Sequence, residues 1–390
     1  MSEYQYYEWQ TIDRLLTPEQ QAAVNRLSSH IEVSSSRAMV TYNWGDFKHD
    51  PKKVLLQYFD AFFYLANWGS RHLMFSFPKG LLNQKEIEPY CDEEQITFQT
   101  FGEYQVLAIV INPDDGGHWV EEQDGTLSLF TQLREDLLQG DYRLLYLAWL
   151  NSRTLYEDDD EDDDEYSDEY DEDEEDEVDD EDPLEPPVPP GLKYLSPALQ
   201  NFVQVFELNP YVVMAAAEAS PDLRDPLAIN YRELIARLAR EEVDGFLVRL
   251  AEGEPGMRLA LRKRLSEFMP KEAHHTPPAR SLKQLLERAE QIKEAEKQRK
   301  IEEARLKHIA EMKALAPKEE KTWRQVEDLL ENGRKIASVY DEATNLLEKL
   351  KQLADFQNTR GVFANRVRQL ANKFGSRSSL IRRWHEHGWL

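Results

Sequence analysis

Across residues 4–111 short β-branched and aromatic runs alternate with polar breaks, a period that reads as strands joined by turns. Strands are predicted at 38–42, 61–66, 72–77, 96–101 and 105–111, with a β-rich stretch over 3–12 before them. Thr17-Pro18-Glu19-Gln20 supplies an N-cap, a proline at the first helical position and a capping-box glutamine, so a helix is expected to follow to about residue 28. Over 127–150 the apolar spacing turns helical, and Gly140 divides the stretch into two helices that pack on the sheet. A mixed sheet with helices on one face satisfies these periods, giving an α+β domain over 1–155.

Beyond residue 192 the period is helical throughout. Tyr231, Leu234, Ile235 and Leu238 fall at i, i+3, i+4 and i+7, and Leu261, Leu265 and Phe268 repeat the spacing. This helical domain is expected over 192–279. From 280 to 316 the chain is Lys, Glu, Arg, Gln and Ala with one uninterrupted helical register, supported by pairs such as Glu296 with Lys300. Leu282, Leu285, Ala289 and Ile292 begin a coiled-coil seam, but Glu296 and Arg299 fall on its continuation, so a solvated connecting helix is the preferred reading. Three apolar stripes follow within 317–390: Trp323 to Leu330 ended by Gly333, Leu346 to Ala354, and Phe363 to Phe374 ended by Gly375. They predict a small basic helical bundle.

Charge changes this picture at one place. Of 74 acidic residues in the 390-residue chain, 22 fall in the 26 positions from Glu157 to Asp182, broken only by Tyr166, Ser167, Tyr170 and Val178. So many like charges repel over a Debye length or two, and little apolar surface is present to offset chain entropy. Five prolines follow within 183–190. Residues 156–191 are therefore expected to form a disordered acidic and proline-rich linker holding two independently folded halves apart.

Cys91 is the single cysteine, which excludes an internal disulfide and any multi-thiolate metal site and favours a reducing compartment. With no basic-then-apolar leader and no apolar run near ~20 residues, the chain reads as cytoplasmic and without a membrane partner. Phosphate loops, nucleophile elbows and H-E-x-x-H signatures do not occur. The pattern therefore points away from catalysis and names no cofactor and no metal.

Four candidate constellations remain. Asn43-Trp44-Gly45 and Asn67-Trp68-Gly69, with Asp46 and Arg71 alongside, offer a partner surface, because tryptophans on exposed glycine turns anchor partners; the plainer alternative is that both indoles cap the core. Asp114-Asp115-Gly116-Gly117-His118 collects carboxylates and an imidazole, but reads first as a polar turn. His385 and His387, at i, i+2, point to different helix faces. Arg360, Arg366, Arg368, Lys373, Arg377, Arg382 and Arg383, interleaved with Trp384 and other aromatics, form a candidate polyanion contact, set against a solvated basic face.

The opening SEYQYYEWQTIDRLLTPEQ, the WGDF and ANWG motifs and the closing SLIRRWHEHGWL resemble an uncharacterised family of bacterial proteins. The block from Trp323 onward is also similar to the helical tail that follows the zinc finger in some bacterial SWIM-domain proteins, although one cysteine cannot build that finger. The resemblance implies a helical interaction tail. The combined expectation is a non-enzymatic adaptor that holds protein partners through two folded ends and an acidic tether, with a nucleic-acid accessory factor acting through the basic C-terminus as the alternative. The pattern sets no oligomeric state.

Overall fold

The computed structural model describes residues 4–92, 94–112, 125–154, 182–223, 231–254, 256–268, 280–334 and 336–390. The chain divides into two compact units, Met1–Lys293 and Glu294–Leu390.

The first unit is built on a seven-stranded sheet of order β2-β3-β1-β4-β5-β7-β6. Its elements are β1 (Gln5–Gln10), α1 (Pro18–Asn25), β2 (Glu32–Val33), β3 (Arg37–Tyr42), α2 (Pro51–Tyr58), β4 (Ala61–Ala66), β5 (Arg71–Pro78), α3 (Gln84–Ile87), β6 (Ile96–Phe101), β7 (Tyr104–Ile111), α4 (Thr131–Leu138) and α5 (Arg143–Thr154). α6 (Pro197–Val205), α7 (Pro210–Ala219), α8 (Tyr231–Ile235), α9 (Arg240–Ala251), α10 (Met257–Ser266) and the start of α11 (Leu282–Leu315) complete it. The α+β class is the one the pattern predicts. Every pairing is antiparallel, where a mixed sheet was expected; for the strand pairs β2–β3, β4–β5 and β6–β7 the reason is local, since short turns leave no room for a crossover.

Both faces of the sheet are covered, not one. Tyr6, Phe63, Leu65, Phe75, Leu107 and Ile109 face a core shared with α4, α5, α6 and α7. Tyr7, Trp9, Phe62, Tyr64 and Val106 face a second core closed by Val24 of α1 and Val54 and Leu55 of α2. Burial on both sides explains why Ala61–Ala66 reads AFFYLA without polar alternation. The capping box at Thr17 and Gln20 is present and starts α1.

The expected boundaries at 155 and 191 do not match this unit. Leu192, Leu199, Phe202, Phe206 and Leu208 lie in the same core as the sheet, together with Leu285 and Ala289 of α11. The proline-rich stretch is fastened rather than extended as a spacer. The Tyr90 hydroxyl donates to the Pro187 carbonyl at 2.7 Å, and Arg143 Nη1 donates to the carbonyls of Gly191 and Tyr194. The physical reason is the sheet itself: α4 and α5 leave apolar surface that α6 and α7 complete. The acidic run lies outside the described residues except for Asp182, but Thr154 before it and Asp182 at its end belong to one unit. It therefore does not separate the two units; their covalent junction is inside α11.

α8, α9 and α10 form a satellite cluster around Leu234, Leu238 and Leu265. α10 is tied to the sheet body by charge: Arg258 reaches Asp13 and Glu135, and Arg262 pairs with Glu135. The predicted seam residues Leu285 and Ala289 are spent on the first unit's core, which explains why the heptad stops after Ile292.

The second unit contains the remainder of α11 and the bundle α12 (Glu319–Asn332), α13 (Ala337–Phe356), α14 (Arg360–Phe374) and α15 (Ser378–Glu386). Trp323, Leu330, Leu347, Phe363, Val367, Leu380 and Trp384 make its core, on the three predicted stripes and a fourth short helix. No helix among the described residues is long and apolar enough to cross a membrane.

Candidate functional site

The two Asn-Trp-Gly turns meet at one end of the sheet. In the antiparallel register Gln5 at the start of β1 lies opposite Tyr42 of β3 on one side and Ala66 of β4 on the other. The loop after β3 carries Trp44 and the turn after β4 carries Trp68, so they flank the same strand. Gly45 and Gly69 both take positive φ, 75° and 92°, which is why glycine follows tryptophan in each.

Side chains lock both turns. The Gln5 amide, itself buried, donates to Asp46 Oδ1 at 2.8 Å and to the Gly45 carbonyl at 3.2 Å. Its oxygen accepts from the Tyr7 and Tyr64 hydroxyls at 2.6 and 3.0 Å, which fixes the amide's orientation. On the other turn, Arg71 Nη1 donates to the Gly69 carbonyl at 2.8 Å, while Asn67 exchanges hydrogen bonds with Tyr4. Arg71 Nη2 pairs with Glu207 at 2.6 Å. Burial pulls the Arg71 guanidinium below the usual arginine range, and Glu207 opposes that shift.

On these fixed turns Trp44 is 74% exposed and Trp68 37%. Phe47, not Trp44, fills the core position beneath the first loop. Of the four residues of the expected surface, Trp44 and Trp68 are exposed, while Asp46 and Arg71 are engaged within the protein. Asp46 is spent on Gln5. Arg71 is only 3% exposed and serves the turn and Glu207. Glu207 has a φ of 52° at the end of α6, where the Leu208 amide bonds back to the Val203 carbonyl; glycine is the usual residue at such a cap, and here the Arg71 pair compensates.

The basic C-terminal set is mostly neutralised within its own bundle. Arg366 pairs with Glu320 at 2.5 Å and lies over the Trp323 ring; Arg383 pairs with Asp341 at 2.7 Å. Lys373 pairs with Glu331, Arg360 with Asp355, and Arg382 with Glu386. The hydrogen bond it donates to the Glu331 carboxylate holds the Lys373 ammonium above the usual lysine range. Arg377 is stacked on Phe374 and Tyr340, and Trp384 is a core residue that no surface ligand reaches. Arg368 alone of the set is exposed with no such contact described. Over 319–390 the sequence holds 13 Lys and Arg against 10 Asp and Glu, a small surplus for phosphate binding.

Asp114, Asp115, Gly116, Gly117 and His118 lie outside the described residues. His385 and His387 are both exposed, and His387 stacks on Trp389 at 4.7 Å. Burial, reinforced by Asp92 and Glu88, pushes the Cys91 thiol up to about 11. At pH 8 Cys91 should therefore react with iodoacetamide ~100-fold more slowly than a free cysteine. Mass-spectrometric labelling rates check this, and a rate equal to that of a small thiol would contradict the burial.

Three buried charged groups had no motif to announce them. Glu185 accepts from Arg280 through both carboxylate oxygens and from the Tyr146 hydroxyl. Glu8 accepts from Arg37 at 2.6 Å and from the Leu127 amide at 3.0 Å. Arg134 donates to the Ser76 carbonyl and to Asp13. For Glu8 and Glu185 the signal was an isolated charge inside an apolar or proline-rich run; Arg134, followed by Glu135 and Asp136, carried none. All three hold segments together. Comparison with protein families, curated proteins and solved structures finds no match.

Proposed function

We propose that this is a non-enzymatic interaction protein whose first unit docks a protein partner on the Trp44 and Trp68 turns. The carrying observation is the pair of exposed indoles on turns locked by Gln5 and Arg71. Exposed tryptophan on a mobile loop costs conformational entropy when it binds; on a locked turn that cost falls, and tryptophan is the most frequent binding hot spot. A second folded unit supports the adaptor reading, with the junction in α11 rather than in the acidic run. The nucleic-acid alternative is disfavoured by the internal pairing of five of its seven cations.

The test is affinity capture with the full chain and its Trp44→Ala, Trp68→Ala and double variants, followed by titration of the captured protein. Each single change is expected to weaken binding at least ~10-fold. Stability should move by no more than about 0.5 kcal/mol for Trp44→Ala, because the ring is solvent-exposed. An unchanged partner set and affinity in the double variant would remove the proposal. Capture of nucleic acid with a steep salt slope would favour the alternative.

A further inference from the structure

The two edges of the seven-stranded sheet are protected very differently. β2 is two residues long and offers almost no ladder. β6 is six residues, ITFQTF, with no charge, no proline and no bulge along its paired length. Natural edge strands usually carry one of these devices against strand addition.

The register shows which β6 groups face outward. The Val110 amide donates to the Gln95 carbonyl at 2.7 Å, so Gln95 and, by alternation, Thr97, Gln99 and Phe101 bond β7. Ile96, Phe98 and Thr100 therefore turn their amides and carbonyls away from the sheet. Ile96 is closed by the preceding turn: Asp92 Oδ1 accepts from its amide at 2.8 Å, and its carbonyl accepts from the Asp92 amide at 2.9 Å. No described residue bonds the outward amides and carbonyls of Phe98 and Thr100.

We infer that β6 pairs antiparallel with β6 of a second copy of this chain about a two-fold axis at Gln99. Only this register satisfies all the open groups. Phe98 of one copy exchanges hydrogen bonds with Thr100 of the other, and the converse pair follows by symmetry. A shift toward the start of the strand opposes Thr100 to the already satisfied Ile96; a shift toward its end opposes Phe98 to Gly102 of the hairpin turn. The side chains agree with the same register. Phe98 falls opposite Thr100 on one face and Phe101 opposite Thr97 on the other, aromatic against β-branched. Glu103 falls opposite Gln95, so no carboxylates oppose across the seam despite a net charge of −27. That neutrality favours a second copy over a basic extended peptide, for which β6 offers no complementary charge.

A seam this short buries less than a permanent dimer requires, so a dissociation constant on the order of 100 µM is expected. Raising salt should tighten it, because screening relieves repulsion between two strongly acidic chains. Association through ion pairs would weaken instead.

Sedimentation of the full chain across concentration and salt reads the equilibrium. Gln99→Lys, which sets two ammonium groups face to face on the axis, should weaken dimerisation at least ~10-fold while leaving the circular-dichroism spectrum unchanged. In a Cys91→Ser background, Gln99→Cys thiols sit across a non-hydrogen-bonded pair at Cα separations of ~4.5 Å, within disulfide reach. Diamide, which takes up the two electrons and two protons released, should couple them at least ~10-fold faster than it couples Glu103→Cys thiols, which the register holds apart. A chain that stays monomeric at several hundred µM in high salt, or a dimer indifferent to Gln99→Lys, or equal coupling at the two positions would each overturn the pairing.

Discussion

Replacing Arg280 with methionine is expected to lower the stability of the first unit by about 3–5 kcal/mol. Glu185 is fully buried at its side chain, and Arg280 is its only cationic partner among the described residues, through two bonds of 2.7 and 2.8 Å. Without it the carboxylate must either stay charged in an apolar core or take up a proton, and both states cost free energy. The Tyr146 hydroxyl, held protonated by burial and by Glu185, would still bond the carboxylate and soften the loss. Arg280 Nη1 also donates to the Ala215 carbonyl at 3.1 Å, so the same change loosens α7. Hydrogen exchange of β4 and β5 amides under increasing urea measures the effect on this unit alone. Removing both charges with Glu185→Leu/Arg280→Met should recover much of the loss, because a buried pair can be exchanged for apolar contact. A single variant within about 0.5 kcal/mol of the parent would show that water reaches Glu185.

That pair is the centre of a clasp. The Glu185 amide donates to the Arg280 carbonyl at 2.9 Å and the Leu282 amide to the Pro183 carbonyl at 3.0 Å, a short antiparallel bridge between segments nearly a hundred positions apart. Asp182, the last acidic residue of the run, accepts from the Lys283 amide at 3.0 Å and so sits at the N-terminus of α11. That bond, with the Ser281 hydroxyl, holds the Asp182 carboxyl below the usual range. Asp182 thus lies at a helix end that favours negative charge. Loss of Arg280 should therefore reach the start of α11 as well as the core, visible as raised exchange over 282–290.

The second large effect is expected at Arg134. Its guanidinium is buried over the Phe77 ring, donates through Nε and Nη2 to the Ser76 carbonyl at 3.0 and 2.9 Å, and pairs with Asp13 at 2.7 Å. Arg134→Met keeps roughly the volume but strands a buried carbonyl and deprives Asp13 of its nearer cation. A cost of about 3 kcal/mol follows, or a shift of about 1 M in the urea midpoint for an m-value near 3 kcal/mol/M. Arg258 still reaches Asp13 at 3.2 Å, which keeps the value below that for Arg280. Arg258→Ala added to Arg134→Met should then cost more than the sum of the two alone, since both serve one carboxylate. Strict additivity would mean that Asp13 is solvated independently of either.

Much of the architecture is legible in local spacing. Strands at 61–66 and 96–101, the capping box at Thr17 and the stripes that become α12, α13 and α14 all follow from periods that backbone geometry imposes on any chain. Both Asn-Trp-Gly turns were legible because glycine at positive φ leaves a local mark. What spacing could not convey is which apolar surface covers which. Leu199, Phe202 and Leu285 look the same whether they form a separate helical domain or close the open face of a sheet.

The partition of the chain is where local pattern and tertiary structure diverge. Charge density made the acidic run the obvious place to divide the protein, because charge is a local property that can be counted along the sequence. Domain membership is set instead by long-range burial, and the bonds that carry it here join Glu185 to Arg280, Tyr90 to Pro187 and Arg71 to Glu207. The fate of the C-terminal cations has the same cause: sequence counts them, but only the packing of α12, α13 and α14 brings Glu320, Glu331 and Asp341 within reach of Arg366, Lys373 and Arg383. Sequence by itself determined the elements, their polarity and the two tryptophan turns, because those depend on neighbours within a few residues. Tertiary structure decided which segments share a core and which charges are spent internally, because both depend on contacts between residues far apart in the chain.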